Sequence, residues 1–98
     1  MEIIWTERAS QDLEIIFRYV ATTSEYYAKD VLKNILEAPK TLKLFPEAGR
    51  LFSEKKIKGY REIFIYSYRL IYRVSDKKIY VVALVHMRRS FKLKQRLN

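Results

Sequence analysis

Three side chains in the second half of the chain have the chemistry needed to cut RNA. His86 is the only histidine, and histidine is the side-chain type that exchanges protons near neutral pH. Arg88 follows it by two residues, and a guanidinium group stabilises the charge that develops when a 2′-hydroxyl attacks phosphate. Arg69 lies on an earlier alternating segment. Arg69, His86 and Arg88 are therefore the candidate catalytic residues, although a lone histidine more often has no catalytic role.

The positive charge of the chain is concentrated in this same half. The net charge is +9, yet residues 1–49 carry six Lys or Arg against eight Asp or Glu, whereas residues 50–98 carry fourteen against three. Such asymmetry indicates an anionic partner, either nucleic acid, an acidic protein or a membrane surface. A basic surface without a specific ligand is the alternative. The candidate contacts with a nucleic acid or other target are Arg50, Lys58, Arg61, Arg73 and Arg89.

Composition excludes several other classes of protein. The chain has no cysteine and one histidine, which excludes disulfides, thiol catalysis and multi-histidine metal sites. A carboxylate-rich metal site has no spacing signature, so we expect no metal and no other cofactor. No apolar run approaches the roughly 18 residues of a membrane span, and the N-terminus lacks a signal-peptide pattern. We expect a cytoplasmic protein without a membrane partner, folded as one domain over residues 1–98.

The first half of the chain predicts a short strand and a helical hairpin. Ile3–Trp5 is apolar and favours a strand, and Thr6 after it is a candidate helix N-cap. Ser24 can cap a second helix, along which apolar residues continue at helical spacing as far as Phe45. Pro39 interrupts that pattern, so the helix should kink there or restart as a second segment.

Alternation with period 2 predicts three consecutive strands in the second half. A turn at residues 75–78 would pair Val74 with Ile79 and Arg69 with Leu84. Before the strands, a loop carries four basic residues, Arg50, Lys55, Lys56 and Lys58. After them, residues 91–98 form a basic tail that is either helical or disordered.

This register sorts the side chains onto two faces of a small antiparallel sheet. The apolar face, which should receive the hairpin, carries Leu70, Tyr72, Val74, Val81, Ala83 and Val85. The basic and aromatic face carries Tyr60, Glu62, Phe64, Arg69, Arg73, Tyr80, His86 and Arg88. Arg89 alternates to the apolar side. Arginine forks and aromatic rings suit phosphates and bases, but they can equally pack against one another for stability alone.

Four sequence blocks together resemble the RelE/ParE family of bacterial toxins. They are Phe-Pro-Glu-Ala-Gly-Arg at 45–50, Gly-Tyr-Arg-Glu at 59–62, Tyr-Arg-Leu-Ile-Tyr-Arg-Val at 68–74 and Val-His-Met-Arg-Arg at 85–89. The predicted β-α-α-β-β-β order, an α+β fold, is also the layout of that family. The resemblance implies the toxin of a type II toxin-antitoxin module, of the plasmid-stabilisation type, which a cognate antitoxin neutralises.

The family divides into two activities, and the resemblance leaves the choice open. RelE-like members are mRNA interferases, metal-independent endoribonucleases that act on the ribosome, and they place lysines where this chain has approximately Tyr60 and Glu62. ParE-like members inhibit DNA gyrase, and Gly49-Arg50 with the His-x-Arg-Arg ending resembles that branch. The resemblance therefore favours gyrase inhibition. Because the interferase alternative is kept, the resemblance does not decide whether the chain is an enzyme.

The alternatives to gyrase inhibition are mRNA cleavage through Arg69, His86 and Arg88, or a non-toxic relative that binds nucleic acid. The implied partners are a cognate antitoxin and either DNA gyrase or the ribosome with its mRNA. We expect oligomers only together with the antitoxin.

Overall fold

Residues 1–52, 54 and 57–97 are described by a computed structural model. They form an α+β fold in which a helical hairpin covers one face of a sheet, as the sequence predicted. The sheet has five strands, one more than predicted, because Arg50 lies in a short strand and not in a loop. The strands are β1 (Glu2–Trp5), β2 (Arg50–Leu51), β3 (Tyr60–Ile65), β4 (Tyr68–Ser75) and β5 (Lys78–His86). The helices are α1 (Glu7–Ala21), α2 (Glu25–Glu37), a 3-10 helix (Ala38–Lys43) and α3 (Leu93–Leu97). Lys55, Lys56 and Asn98, to which the sequence assigned a loop and a tail, lie outside the described residues.

The hairpin begins and ends where its capping residues predict. The Thr6 hydroxyl accepts a hydrogen bond from the Ala9 N–H at 3.2 Å, and the Ser24 hydroxyl accepts one from the Tyr27 N–H at 3.1 Å. Each bond satisfies a backbone donor that the first helical turn leaves free. Pro39 follows the end of α2 and lies in the first turn of the 3-10 helix, so the predicted restart is confirmed. Of the helices in the described ranges, none is both long and apolar enough to cross a bilayer.

The sheet is mixed, whereas the sequence predicted an antiparallel one. Its strand order is β1-β5-β4-β3-β2, in which β2 to β5 are antiparallel neighbours and β1 lies parallel to β5. A parallel pair needs a long crossover connection, which the hairpin and the three intervening strands supply. Period-2 alternation does not distinguish the two directions, so this difference could not be predicted from the pattern.

A β-bulge in β5 changes which side chains share a face. Val74 pairs with Ile79 as predicted, but Tyr72 pairs with Val81 while its neighbour Ile71 pairs with Ala83. Val82 is therefore an extra residue without a partner on β4, and beyond it every side chain of β5 points to the other face. The predicted pairing of Arg69 with Leu84 is wrong by one residue, because Arg69 pairs with Val85.

Both faces of the sheet carry an apolar core. The helix face, against α1 and α2, buries Leu70, Tyr72, Ile79, Val81 and Leu84. The outer face buries Ile71, Val82, Ala83 and Val85 beneath Phe52 and Leu93. The prediction that Ala83 and Val85 face the hairpin is wrong, because both follow the bulge. The outer face is consequently covered in part by the C-terminal segment and is not an open basic surface.

Candidate functional site

The centre of the outer face is a buried carboxylate between two arginines. Glu62 is 4% exposed, and its Oε2 lies 3.0 Å from Arg50 Nη2. Its Oε1 lies 3.6 Å from Arg69 Nη1, on the neighbouring strand. A buried carboxylate is tolerated only when opposite charges surround it, and these arginines supply them. Arg69, a predicted catalytic residue, therefore faces an internal carboxylate.

The remaining arginine of the outer face packs between aromatic rings. The guanidinium of Arg73 lies 5.7 Å from the ring centroid of Tyr80 and 5.9 Å from that of Tyr60. Arg50 lies in the same way 5.0 Å from the centroid of Phe64. Cation–π contacts of this kind stabilise the fold by about 0.5–1 kcal/mol at exposed sites. Arg73 nevertheless keeps an exposed charge that a partner can approach.

His86 lies on the helix face, opposite to Arg69. It pairs with Tyr68, whose ring meets the imidazole edge-on with centroids 5.6 Å apart. The backbone N–H of Arg88 donates to His86 Nδ1 at 3.1 Å, so the neutral ring carries its proton on Nε2. The prediction that Arg69 and His86 share a sheet face is wrong, because the bulge at Val82 reverses the direction of every later side chain of β5.

The other predicted contact residues are distributed over three places. Arg88 and Arg89 are both exposed in the turn after β5, which corrects the assignment of Arg89 to the apolar side. Lys58 is exposed in the loop before β3. Arg61 pairs with Leu51 at the β2 edge and donates to the carbonyl oxygens of Glu47 at 3.2 Å and Gly49 at 2.8 Å.

Tyr72 holds the Phe45–Arg50 segment in place through two hydrogen bonds. Its buried hydroxyl accepts a hydrogen bond from the Gly49 N–H at 3.0 Å and donates to the Pro46 carbonyl at 2.7 Å. Burial raises the pKa of Tyr72 above its ordinary value of 10.0, although the Gly49 hydrogen bond and the Arg61 charge act in the opposite direction. A Cβ at residue 49 would lie 2.5 Å from the Tyr72 oxygen, so glycine is required by space. Together with Arg61, Tyr72 fixes the loop after the 3-10 helix.

An ion pair that the sequence gave no reason to expect supports the bulge. Asp12 accepts hydrogen bonds from the backbone N–H of Leu84 at 3.0 Å and from Arg96 at 2.9 and 3.1 Å. Arg96 also donates to the carbonyl of Val82 at 3.0 Å. These bonds satisfy polar groups of β5 beyond the end of β1. The two partners are 84 residues apart, so no local pattern connects them.

Comparisons with known proteins give the same fold and identify the family. The sequence profile described as ParE toxin of type II toxin-antitoxin system, parDE, matches residues 3–91. Similar solved structures are a chromosomal ParDE system from P. aeruginosa (24% identity, TM-score 0.72, 88% of this chain and 95% of that one) and a RelBE2 toxin-antitoxin complex from Mycobacterium tuberculosis (19%, 0.66, 87% and 95%). A YoeB dimer from Staphylococcus aureus is a third (21%, 0.59, 88% and 95%). A search of the curated proteins gives no significant match.

The shared fold defines the structural class, a small α+β domain like those of these three proteins. The match of the family profile to most of the chain is more specific than the fold. The chain belongs to the ParE toxin family of type II toxin-antitoxin systems.

Proposed function

We propose that this toxin acts by binding DNA gyrase and does not cut mRNA with the residue set Arg69, His86 and Arg88. The observation that carries the proposal is the separation of Arg69 from His86 by the sheet itself. Membership of the ParE family supports gyrase as the target.

Cleavage of RNA requires its catalytic groups to converge on one phosphate. A general base and a charge-stabilising group must each come within hydrogen-bond reach, about 3 Å, of the reacting atoms. Arg69 leaves β4 on the outer face, where Val85 is its partner, and its guanidinium lies beside Glu62. His86 leaves β5 on the helix face beside Tyr68. One phosphate cannot contact both side chains through a packed sheet.

Binding makes a weaker geometric demand, because cations on several elements can contribute together. Arg73, Arg88, Arg89 and Lys58 are exposed, and they attract an anionic surface such as that of DNA bound to gyrase. An interaction of this kind weakens as salt is added, since screening reduces the attraction between exposed charges.

The toxin is neutralised, in this proposal, by a cognate antitoxin and is oligomeric only in that complex. Two of the similar structures are toxin-antitoxin systems, which supports an antitoxin as the partner. A cytoplasmic location follows from the proposed target, and the module would serve plasmid stabilisation. No cofactor is part of the proposed activity.

The test measures supercoiling of relaxed plasmid by purified gyrase in the presence of the purified toxin. We expect the wild-type chain to inhibit supercoiling, and the pair of substitutions Arg73→Ala and Arg89→Ala to weaken inhibition. His86→Ala serves as the matched control and should inhibit as the wild type does. Unchanged supercoiling at micromolar toxin would refute the proposal.

Cleavage of mRNA on the ribosome is the second candidate, supported by one feature of the turn after β5. His86 is exposed there together with Arg88 and Arg89, so a base and two cations are adjacent without Arg69. Primer extension on translated mRNA tests this candidate. Transcripts cut by the wild type, but intact with His86→Ala, would favour it over gyrase inhibition. Normal growth after induction would instead favour a non-toxic nucleic-acid-binding relative.

A further inference from the structure

An apolar groove opens on the helix face, away from Arg73, Arg88 and Arg89. It has a volume of about 870 Å³ and lies where the hairpin no longer covers the sheet. One wall is the loop after the 3-10 helix, with Leu44 and Phe45. The floor and the other wall come from strands, with Leu51, Arg61, Tyr72 and Val74. Concave sites of roughly 300–1,000 Å³ are large enough to hold several side chains of a partner.

The walls of the groove expose large apolar side chains that the fold itself does not use. Leu44 is 80% exposed, Phe45 68% and Leu51 63%. Contiguous apolar surface of this kind indicates an interaction site, because isolated exposure would not gather three such residues around one groove. An occupant would bury all three, which gives the contact a source of binding free energy.

The groove is held in a fixed shape before any partner arrives. The Tyr72 hydroxyl joins Gly49 and Pro46, and Arg61 joins the carbonyls of Glu47 and Gly49. These bonds tie the loop wall to strands β3 and β4. A preformed site loses less conformational entropy on binding, so more of the contact energy appears as affinity.

The rim of the groove is positive, which specifies the charge of the occupant. Lys43 and Lys58 are exposed and adjoin lining residues in the chain, and Arg61 is itself a lining residue. Glu47 is the acidic residue among those that line it. An apolar segment that also carries Asp or Glu complements this arrangement.

We propose that this groove binds an apolar, acidic segment of the antitoxin, so that neutralisation occurs away from the outer-face cations. The inference rests on the proposed toxin-antitoxin partnership and locates its contact. The exposed aromatic side chains of the hairpin, Tyr19 and Tyr26, fit this occupant less well. Their neighbouring charges are already paired, Glu14 with Arg18 and Glu25 with Lys29, and so offer no net positive rim.

The experiment uses the full-length toxin and the protein encoded by the reading frame beside its gene. Titration calorimetry gives the dissociation constant for the wild type, for the double variant Leu44→Asp with Phe45→Asp, and for the pair Tyr19→Asp with Tyr26→Asp as the matched control. Tyr19 is 74% exposed on α1 and Tyr26 is 88% exposed on α2, so the control places the same two new charges outside the groove. We expect the double variant to weaken binding at least about 30-fold and the control to stay within about threefold.

Two further measurements, the unfolding temperature and gyrase inhibition, show whether the double variant is otherwise intact. The double variant should unfold at the wild-type temperature, since both side chains are exposed. It should also still inhibit gyrase, because neither side chain is one of the cations proposed to contact that target. Antitoxin binding within threefold of wild type for the double variant would overturn the groove assignment. If the wild-type toxin formed no complex with the neighbouring protein, the antitoxin partnership would itself be wrong, and the groove assignment with it.

Discussion

Replacing Tyr72 with phenylalanine removes one oxygen atom from the helix-face core and should destabilise the protein. That oxygen accepts from the Gly49 N–H at 3.0 Å and donates to the Pro46 carbonyl at 2.7 Å. A typical hydrogen bond contributes about 1 kcal/mol net, and a buried donor left without an acceptor costs about 1–3 kcal/mol. Gly49 is buried, so its N–H cannot turn to water. We expect Tyr72→Phe to lower the free energy of unfolding by about 2–3 kcal/mol.

Urea and thermal denaturation at neutral pH measure this loss. In a domain of this size, 1 kcal/mol corresponds to a shift of about 4–8 °C, so the midpoint should fall by at least about 8 °C. Tyr26→Phe is the matched control, because its hydroxyl is exposed and its loss should change stability by less than about 0.5 kcal/mol. A change below about 0.5 kcal/mol for Tyr72→Phe as well would refute the assigned hydrogen bonds.

The same substitution should also change how the free energy of unfolding depends on pH in the alkaline range. Burial raises the pKa of Tyr72, so above pH 10.0 the unfolded chain loses this proton while the folded chain still holds it. Stability associated with this residue is therefore complete below pH 10.0 and is lost as the pH rises through the folded-state pKa. Tyr72→Phe lacks that proton. The stability difference between wild type and variant should narrow above pH 10.0, and a constant difference up to strongly alkaline pH would contradict the reasoning.

Three further substitutions test other contacts. Gly49→Ala should lower the free energy of unfolding, measured in urea, by about 1–3 kcal/mol, because the new Cβ would lie 2.5 Å from the Tyr72 oxygen. Gly59→Ala is the control: its Cβ would have no atom within 4 Å, so only the φ of +88° should cost stability, about 1 kcal/mol. Glu62→Gln leaves Arg69 without its buried counter-charge and should cost about 3 kcal/mol. Arg18→Gln breaks the exposed ion pair with Glu14 and should lower the free energy of unfolding by less than about 1 kcal/mol. Equal losses for Glu62→Gln and Arg18→Gln would refute the idea that burial makes the Glu62 pair matter more. Arg96→Ala removes the bonds to Asp12 and Val82, so hydrogen exchange at residues 82–84 and 93–97 should accelerate; unchanged protection would show that the ion pair does not hold the C-terminal segment.

Elements of the fold followed from local chemistry, which a sequence displays directly. Thr6 and Ser24 mark the helix starts because a cap acts on donors three residues away. Pro39 marks the end of α2 for a similar local reason. The pairing of Val74 with Ile79 followed from the adjacent turn.

The candidate site could not be predicted in the same way, because its geometry depends on long-range contacts. The position of His86 depends on the bulge at Val82, and nothing in an apolar run from Val81 to Val85 identifies which residue is extra. The bonds from Asp12 and Arg96 to that segment involve residues from the two ends of the chain. Burial of Glu62 equally depends on arginines from two other strands.

The bulge has a consequence for how such chains can change over evolutionary time. If Val82 were kept but paired regularly with Ile71, the strand beyond it would turn over as a unit, and His86 would lie on the same face as Arg69 while Ala83 and Val85 entered the hairpin side. Deletion of Val82 would instead remove only the unpaired residue and keep every later pair, with His86 beside Tyr68 and Val85 beside Arg69. The bulge therefore lets this strand gain or lose one residue without exchanging the chemistry of its two surfaces. Relatives that differ in length by one residue at this point can on this basis present the same later side chains to their targets.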